Sequence, residues 1–186
     1  MSLLGALGCY HTMEPVKPPL LPNEVAQGIY PLGALLRLEN GYSGREARWI
    51  RTEGLHRLEV DLREWTARLL GELEIELERR QVSVVVAEGS LSGTSVSPAA
   101  RPDRRKKGGV YPTLRVWISD VKAPSPESGQ GSYLAAEMES EAGDFSASYA
   151  VGSKVKGFKD AFQELKQSIL EDARFQAWLK KKQEEI

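Results

Sequence analysis

Leu58, Leu62, Trp65, Leu69, Leu73 and Leu77 step along the chain by three or four residues. That spacing lines one face of a helix and predicts one over about 58–81. Arg63, Glu64, Arg68, Glu72, Glu74, Glu76, Glu78 and Arg79 fall on its other faces. Asp61 suits a helix start and Arg79-Arg80 a helix end, because the exposed N–H and C=O groups there favour opposite charges. A second helix is expected over about 157–182, from Phe158, Phe162, Leu165, Ile169, Ala173, Trp178 and Leu179. Asp172 is assigned to its polar side, and the charged tail 180–185 is expected to fray.

Between the helices the period drops to two. Leu114, Val116 and Ile118 share one face of the clearest strand, over 114–121. Tyr133–Ser140 and Phe145–Val151 alternate in the same way, separated by the turn at Ala142-Gly143-Asp144. These three strands predict an antiparallel meander with one wet face. Shorter strands are expected at 34–39, 47–50 and 82–86, each apolar or β-branched. Residues 88–109 are rich in Gly, Ser, Pro and charge and predict a flexible loop. The fold class expected for 31–186 is one α+β domain, an antiparallel or mixed sheet with two long helices packed on one face.

Residues 1–30 look different. The apolar start is too short to span a bilayer, which takes about 20 residues. Its end, Ala6-Leu7-Gly8-Cys9, resembles a bacterial lipobox, with Ala6 standing where leucine is usual. In such a motif the cysteine becomes the lipidated first residue of the mature protein. No basic n-region precedes it, which suggests a start further upstream. Residues 14–22 hold four prolines, and such a segment favours extended polyproline II and acts as a semi-rigid spacer. The expectation for 1–30 is therefore a signal remnant, a lipidated Cys9 and a Pro-rich tether.

Composition narrows the chemistry. The 186 residues carry 25 Lys+Arg against 26 Asp+Glu, a net charge of −1, which gives no global pull toward nucleic acid. One cysteine excludes an internal disulfide framework, and two histidines leave little for a zinc cluster. No nucleophile elbow, zinc-protease helix, phosphate loop or paired-cysteine motif is present. Ser90 and Ser92 stand in a Ser/Gly-rich loop, and His56 has no evident triad. Cys9 and His11 supply two metal ligands where a site normally needs about four. Neither an enzyme, a metal nor a cofactor is expected.

The end of the first helix and the strand after it contain Leu77, Arg80, Val82 and Val84. The clearest strand contains Leu114, Val116, Ile118, Asp120 and Val121, and the last helix Ile169, Leu170, Asp172, Phe175, Trp178 and Leu179. In this order, behind a lipobox-like cysteine, these packing patterns resemble YajG-type small bacterial lipoproteins over about residues 55–180. A more distant similarity extends to auxiliary lipoproteins of lipid-transport ABC systems and to outer-membrane assembly lipoproteins. The resemblance implies a membrane-anchored periplasmic domain with no known catalytic residues.

The functional expectation is a bacterial cell-envelope lipoprotein, tethered to the inner or outer membrane, whose periplasmic domain binds or scaffolds. The alternative is a soluble intracellular protein-interaction module. Two surfaces are candidates for contact. The basic run with Arg101, Arg104, Arg105, Lys106 and Lys107 suits anionic lipid or an acidic envelope protein. Trp117, Tyr133 and Tyr149 on the meander suit a partner surface, if they face outward. No aromatic platform or recognition helix accompanies the basic run, so no nucleic acid is expected.

Overall fold

The computed structural model describes residues 10–12, 30–44, 48–51, 57–87, 111–123, 131–152 and 157–186. Their architecture is α+β, with a mixed five-stranded sheet. β2 (Leu35–Asn40) pairs in parallel with β5 (Ser83–Ala87) on one side and with β6 (Thr113–Lys122) on the other. β6, β7 (Tyr133–Ser140) and β8 (Ser146–Gly152) form the expected antiparallel meander. The sheet order is β5-β2-β6-β7-β8. A small second sheet places β4 (Arg57–Val60) between β3 (Arg48–Arg51), antiparallel to it, and β1 (Tyr10–Thr12), parallel to it. β1 falls inside the segment expected to act as a tether.

Helix α1 (Leu62–Arg79) connects β4 to β5 and packs on β2, β5 and β6. It starts later than the leucine spacing suggests, because Asp61 caps it: one carboxylate oxygen accepts the Arg63 and Glu64 N–H groups at 2.8 and 3.2 Å. Leu58 belongs to β4 instead. At the other end Val82 N–H returns to the Leu77 carbonyl and Gln81 N–H to that of Glu78, a paired closure that forces Gln81 to φ 64°.

The expected C-terminal helix is two helices. α2 (Phe158–Leu170) stops at Glu171-Asp172, and α3 (Ala173–Glu184) restarts with Asp172 as its cap, accepting the Arg174 N–H at 2.7 Å. The assignment of Asp172 to a polar helix face was therefore incorrect. The break leaves the Leu170 carbonyl without a helical donor. Tyr30 Oη–H and Gln176 Nε2–H supply replacements at 2.6 and 2.8 Å. The tail expected to fray is helical to Glu184.

The core lies between the sheet and the helices. Leu36, Leu38, Leu114, Val116, Ile118, Leu134, Ala136, Met138, Ala147 and Val151 point toward α1 and α2. They meet Trp65, Leu69, Leu73 and Leu77 of α1 and Phe162, Leu165 and Ile169 of α2. A register shift between Ile118 and Asp120 marks an irregularity in the β6–β7 pairing, and the Ile118 N–H reaches Thr66 Oγ1 on α1 at 2.9 Å. α1 and α2 also share a buried ionic cluster. Lys166 Nζ lies 3.5 Å from both Glu72 and Glu76, while Arg80 reaches Glu76 at 2.8 Å. Glu72 and Glu76 are thus interior residues, where helical spacing had placed them on polar faces. Burial of that cluster is possible because the carboxylates have cationic partners.

Candidate functional site

Cys9 and the basic residues Arg101, Arg104, Arg105, Lys106 and Lys107 lie outside the described residues. Of the three aromatic candidates, Trp117 and Tyr133 are half-buried on the face opposite the helices. Tyr149 is not on that surface. The period of two in β8 points Ala147, Tyr149 and Val151 toward the helices, and Tyr149 is buried there with its Oη–H donating to Asp172 at 2.8 Å. Nor do Trp117 and Tyr133 form one strip. Trp117 pairs with Glu137 and Tyr133 with Lys122, whose ammonium sits 4.7 Å from the tyrosine ring centre. Four residues of β7 separate the two rows, roughly 13 Å.

The open face carries Arg37 and Glu39 of β2, Arg115 and Trp117 of β6, and Glu137 and Glu139 of β7, with Ser146 and Ser148 on β8. Beside Trp117 this face deepens into a cleft of about 670 Å³, lined by residues 40–44, Arg115, Trp117, Ser119 and Glu139.

One wall is the loop leaving β2, and it is pinned at several points. Asn40 Oδ1 accepts the Tyr42 N–H at 3.0 Å, and Asn40 Nδ2 donates to the Arg63 carbonyl at 3.2 Å. Gly41 N–H donates to the Val116 carbonyl at 2.9 Å, and Arg63 Nη2 reaches the Gly44 carbonyl at 3.4 Å. A Cβ at position 41 would lie 2.6 Å from Trp117 Cε3, so glycine lets the loop close against the benzo edge of the indole. Both walls are thereby set before any ligand arrives.

The polar groups of the cleft are incompletely engaged. Arg115, 49% exposed, approaches Glu39 and Glu141 only at 3.8 and 4.0 Å, beyond hydrogen-bond range. Among the described residues the Trp117 indole N–H, the Ser119 hydroxyl and the Glu139 carboxylate have no hydrogen-bond partner. Asn40, Gly41, Arg115, Ser119 and Glu139 were not singled out from the sequence. The alternation that placed Trp117 outward also places Arg115 and Ser119 there, but nothing local reveals the approach of the 40–44 loop. No group of three or more His, Cys, Asp or Glu that would hold a metal occurs among the described residues. Asp120 is an ion partner of Lys122 at 3.4 Å.

The shifted titrations lie elsewhere, where α3 docks. Hydrogen bonds from Lys182, Trp178 and Ser140 hold the Asp144 carboxyl well below the usual carboxylate range. The Arg174 guanidinium, with help from the Tyr149 hydroxyl, lowers Asp172 to about 2. Burial raises the phenols of Tyr30 and Tyr149. Asp144 is bonded by Trp178 Nε1–H at 3.0 Å and by Lys182 at 2.7 Å, so these are links between α3 and the sheet. Perturbed groups often mark functional sites, but here the partners are structural.

A scan against family models and a search of curated proteins find no match to this chain. Among solved structures, a chain described as "Crystal structure of uncharacterized protein" aligns with 94% of this chain and 99% of its own length, at 14% identity and a TM-score of 0.31. Likeness at that level carries no argument about fold or function.

Proposed function

We propose that this chain is a cell-envelope lipoprotein of the bacterial periplasm, attached through Cys9, whose domain binds an envelope component on the open face of its sheet. The anchor is supported by Ala6-Leu7-Gly8-Cys9 followed by a proline-rich stretch. The binding role is supported by one observation above the rest: a five-stranded sheet with helices on one face and, on the other, a preformed cleft whose polar groups are incompletely engaged. The reading is non-catalytic: Arg115, Trp117, Ser119 and Glu139 are taken as groups that hold a ligand.

Two measurements test it. Metabolic palmitate labelling of the protein in a bacterial host should be abolished by Cys9→Ser. Labelling that survives that change, or no labelling of the parent, refutes the anchor and favours an intracellular module. A photo-crosslinking side chain placed at Glu139 should capture an envelope component, whereas one at Lys159 on α2 should not. Equal capture at both positions refutes an open-face site.

A further inference from the structure

We infer that the cleft beside Trp117 is a saccharide-binding site, taking a short neutral glycan. The inference deepens the open-face reading above and rests on it, but does not depend on the anchor. It starts from what a ligand there must supply. Trp117 offers an aromatic wall, held against Gly41 at its benzo edge. Around it stand a guanidinium and an indole N–H that only donate, a carboxylate that only accepts, and the Ser119 hydroxyl that does both. A ligand must therefore present donors and acceptors together, next to an apolar surface. Sugar rings do so, with hydroxyls around the rim and a C–H face for the indole.

Charge and backbone geometry weigh against the competing ligands. Arg115 and Glu139 cancel within the cleft, Arg37 and Glu39 cancel beside it, and Glu137 adds a carboxylate, so these strands offer an anionic headgroup no excess of positive charge. An extended peptide usually docks by adding a strand to a sheet edge. β7 is paired on both sides, and β6 is paired on both sides over Thr113–Val116, so that mode is closed to it along Arg115 and Glu139; beyond Val116 the Ile118 N–H is taken by Thr66 Oγ1. The volume, about 670 Å³, falls in the range of pockets that hold drug-sized ligands. It has room for a short oligosaccharide.

The test is an NMR titration of the unlipidated full chain carrying Cys9→Ser, with tri-N-acetylchitotriose and, separately, maltotriose. The Trp117 indole N–H and the amides of Gly41, Tyr42, Ser119 and Glu139 should shift saturably with at least one probe. Glu139→Gln, an exposed change that preserves the fold, should weaken binding at least about tenfold, because it replaces a charged acceptor with a neutral amide. Trp117→Ala should weaken it further, and Ser148→Ala, on the open face outside the cleft, should leave it unchanged. No saturable shift with either saccharide, or shifts that persist in both cleft variants, overturns the glycan assignment. Cleft shifts produced instead by phosphatidylglycerol vesicles also overturn it while leaving the open-face reading intact. Equal crosslinking from Glu139 and Lys159 would remove that reading itself.

Discussion

The two faces of the sheet treat their polar groups in opposite ways. On the helix side most prominent polar groups have a partner from another element, Ser132 Oγ and Gln163 Oε1 being buried exceptions among the described residues. Tyr149 meets Asp172, Trp178 meets Asp144, Tyr30 meets the Leu170 carbonyl, and Lys166 lies between Glu72 and Glu76. On the open side Arg115 stops 3.8 Å from Glu39, and Trp117, Ser119 and Glu139 make no hydrogen bond among the described residues. The closed face consumes its polarity in holding α2 and α3 to the sheet. The open face retains binding capacity at little cost, because water serves its groups in the meantime. Shifted acidities mark the first kind of region here, and incompletely engaged donors and acceptors mark the second.

The sharpest way to break this contrast is to remove one indole from each side. Trp65 is fully buried and packs edge-on against Phe158, with ring centres 5.6 Å apart. Trp65→Ala should destabilise the fold by about 3–5 kcal/mol, the cost of a large core cavity. Trp117→Ala should cost only about 1 kcal/mol. Chemical denaturation measures both, and similar losses would mean that Trp117 is a core residue in all but position.

Next in size is the ionic cluster. Glu76 Oε2 accepts from Arg79 and Arg80 at 2.9 and 2.8 Å, while Oε1 faces Lys166 at 3.5 Å. Glu76→Gln leaves Lys166 and Arg80 buried with less compensation and should cost about 3 kcal/mol, the low end for breaking a buried ion pair. Arg37→Ala, which removes the 2.9 Å ion pair with Glu39 on the open face, should cost well under about 1 kcal/mol. Equal effects in denaturation would erase the distinction between the faces.

Much of the closed face was legible in the sequence, because apolar periodicity is what burial selects. The meander strands, the α1 stripe and the placement of the helices on one face all follow from spacings of two or of three and four. The helix break was hidden for the same reason. Ile169 and Ala173 stand one helical step of four apart across Glu171-Asp172, yet Ala173 is exposed and α3 buries Phe175, Trp178 and Leu179 instead. Glu72 and Glu76 were misplaced because their charge reads as surface, while the partner that permits burial, Lys166, is some 90 residues away. The cleft was legible only in part. Alternation puts Arg115, Trp117 and Ser119 on one face, but the wall at 40–44 depends on long-range bonds from Arg63 and Val116.

Acid should separate the regions more gently. Asp172 falls from the ordinary aspartate value of 3.8 to about 2, chiefly through Arg174, and Asp144 is lowered too, chiefly through Lys182. A depressed carboxyl stabilises the native state above its unfolded value and loses that contribution as the pH falls toward the folded one. Between about pH 4 and pH 2, Asp172 alone should therefore give up about 2 kcal/mol. The Tyr30 and Tyr149 phenols are raised from 10.0, so their contribution is complete below pH 10 and declines above it. Hydrogen exchange at Phe175–Leu179 should accelerate on acidification before that of β6. Asp172→Asn should flatten the acid slope. Simultaneous loss across the molecule would show that α3 is not held by these two carboxylates.

The smallest effect concerns Gln81, which sits where α1 turns into β5. Its φ of 64° lies in the left-handed region, reached so that the last helical carbonyls can be bonded by Gln81 and Val82. The Gln81 carbonyl in turn accepts the Gly33 N–H at 3.0 Å, which ties the turn to the start of β2. A side chain costs energy in this conformation and glycine does not, so Gln81→Gly should stabilise the protein by about 0.5–1 kcal/mol despite the added freedom of the unfolded chain. Because the strain lies at the strand ends away from Asn40 and Trp117, the amide signals of Gly41, Ser119 and Glu139 should not move. A gain in stability accompanied by shifts in the cleft would show that the two regions are mechanically coupled through β2, which is the strongest challenge to treating them as separate.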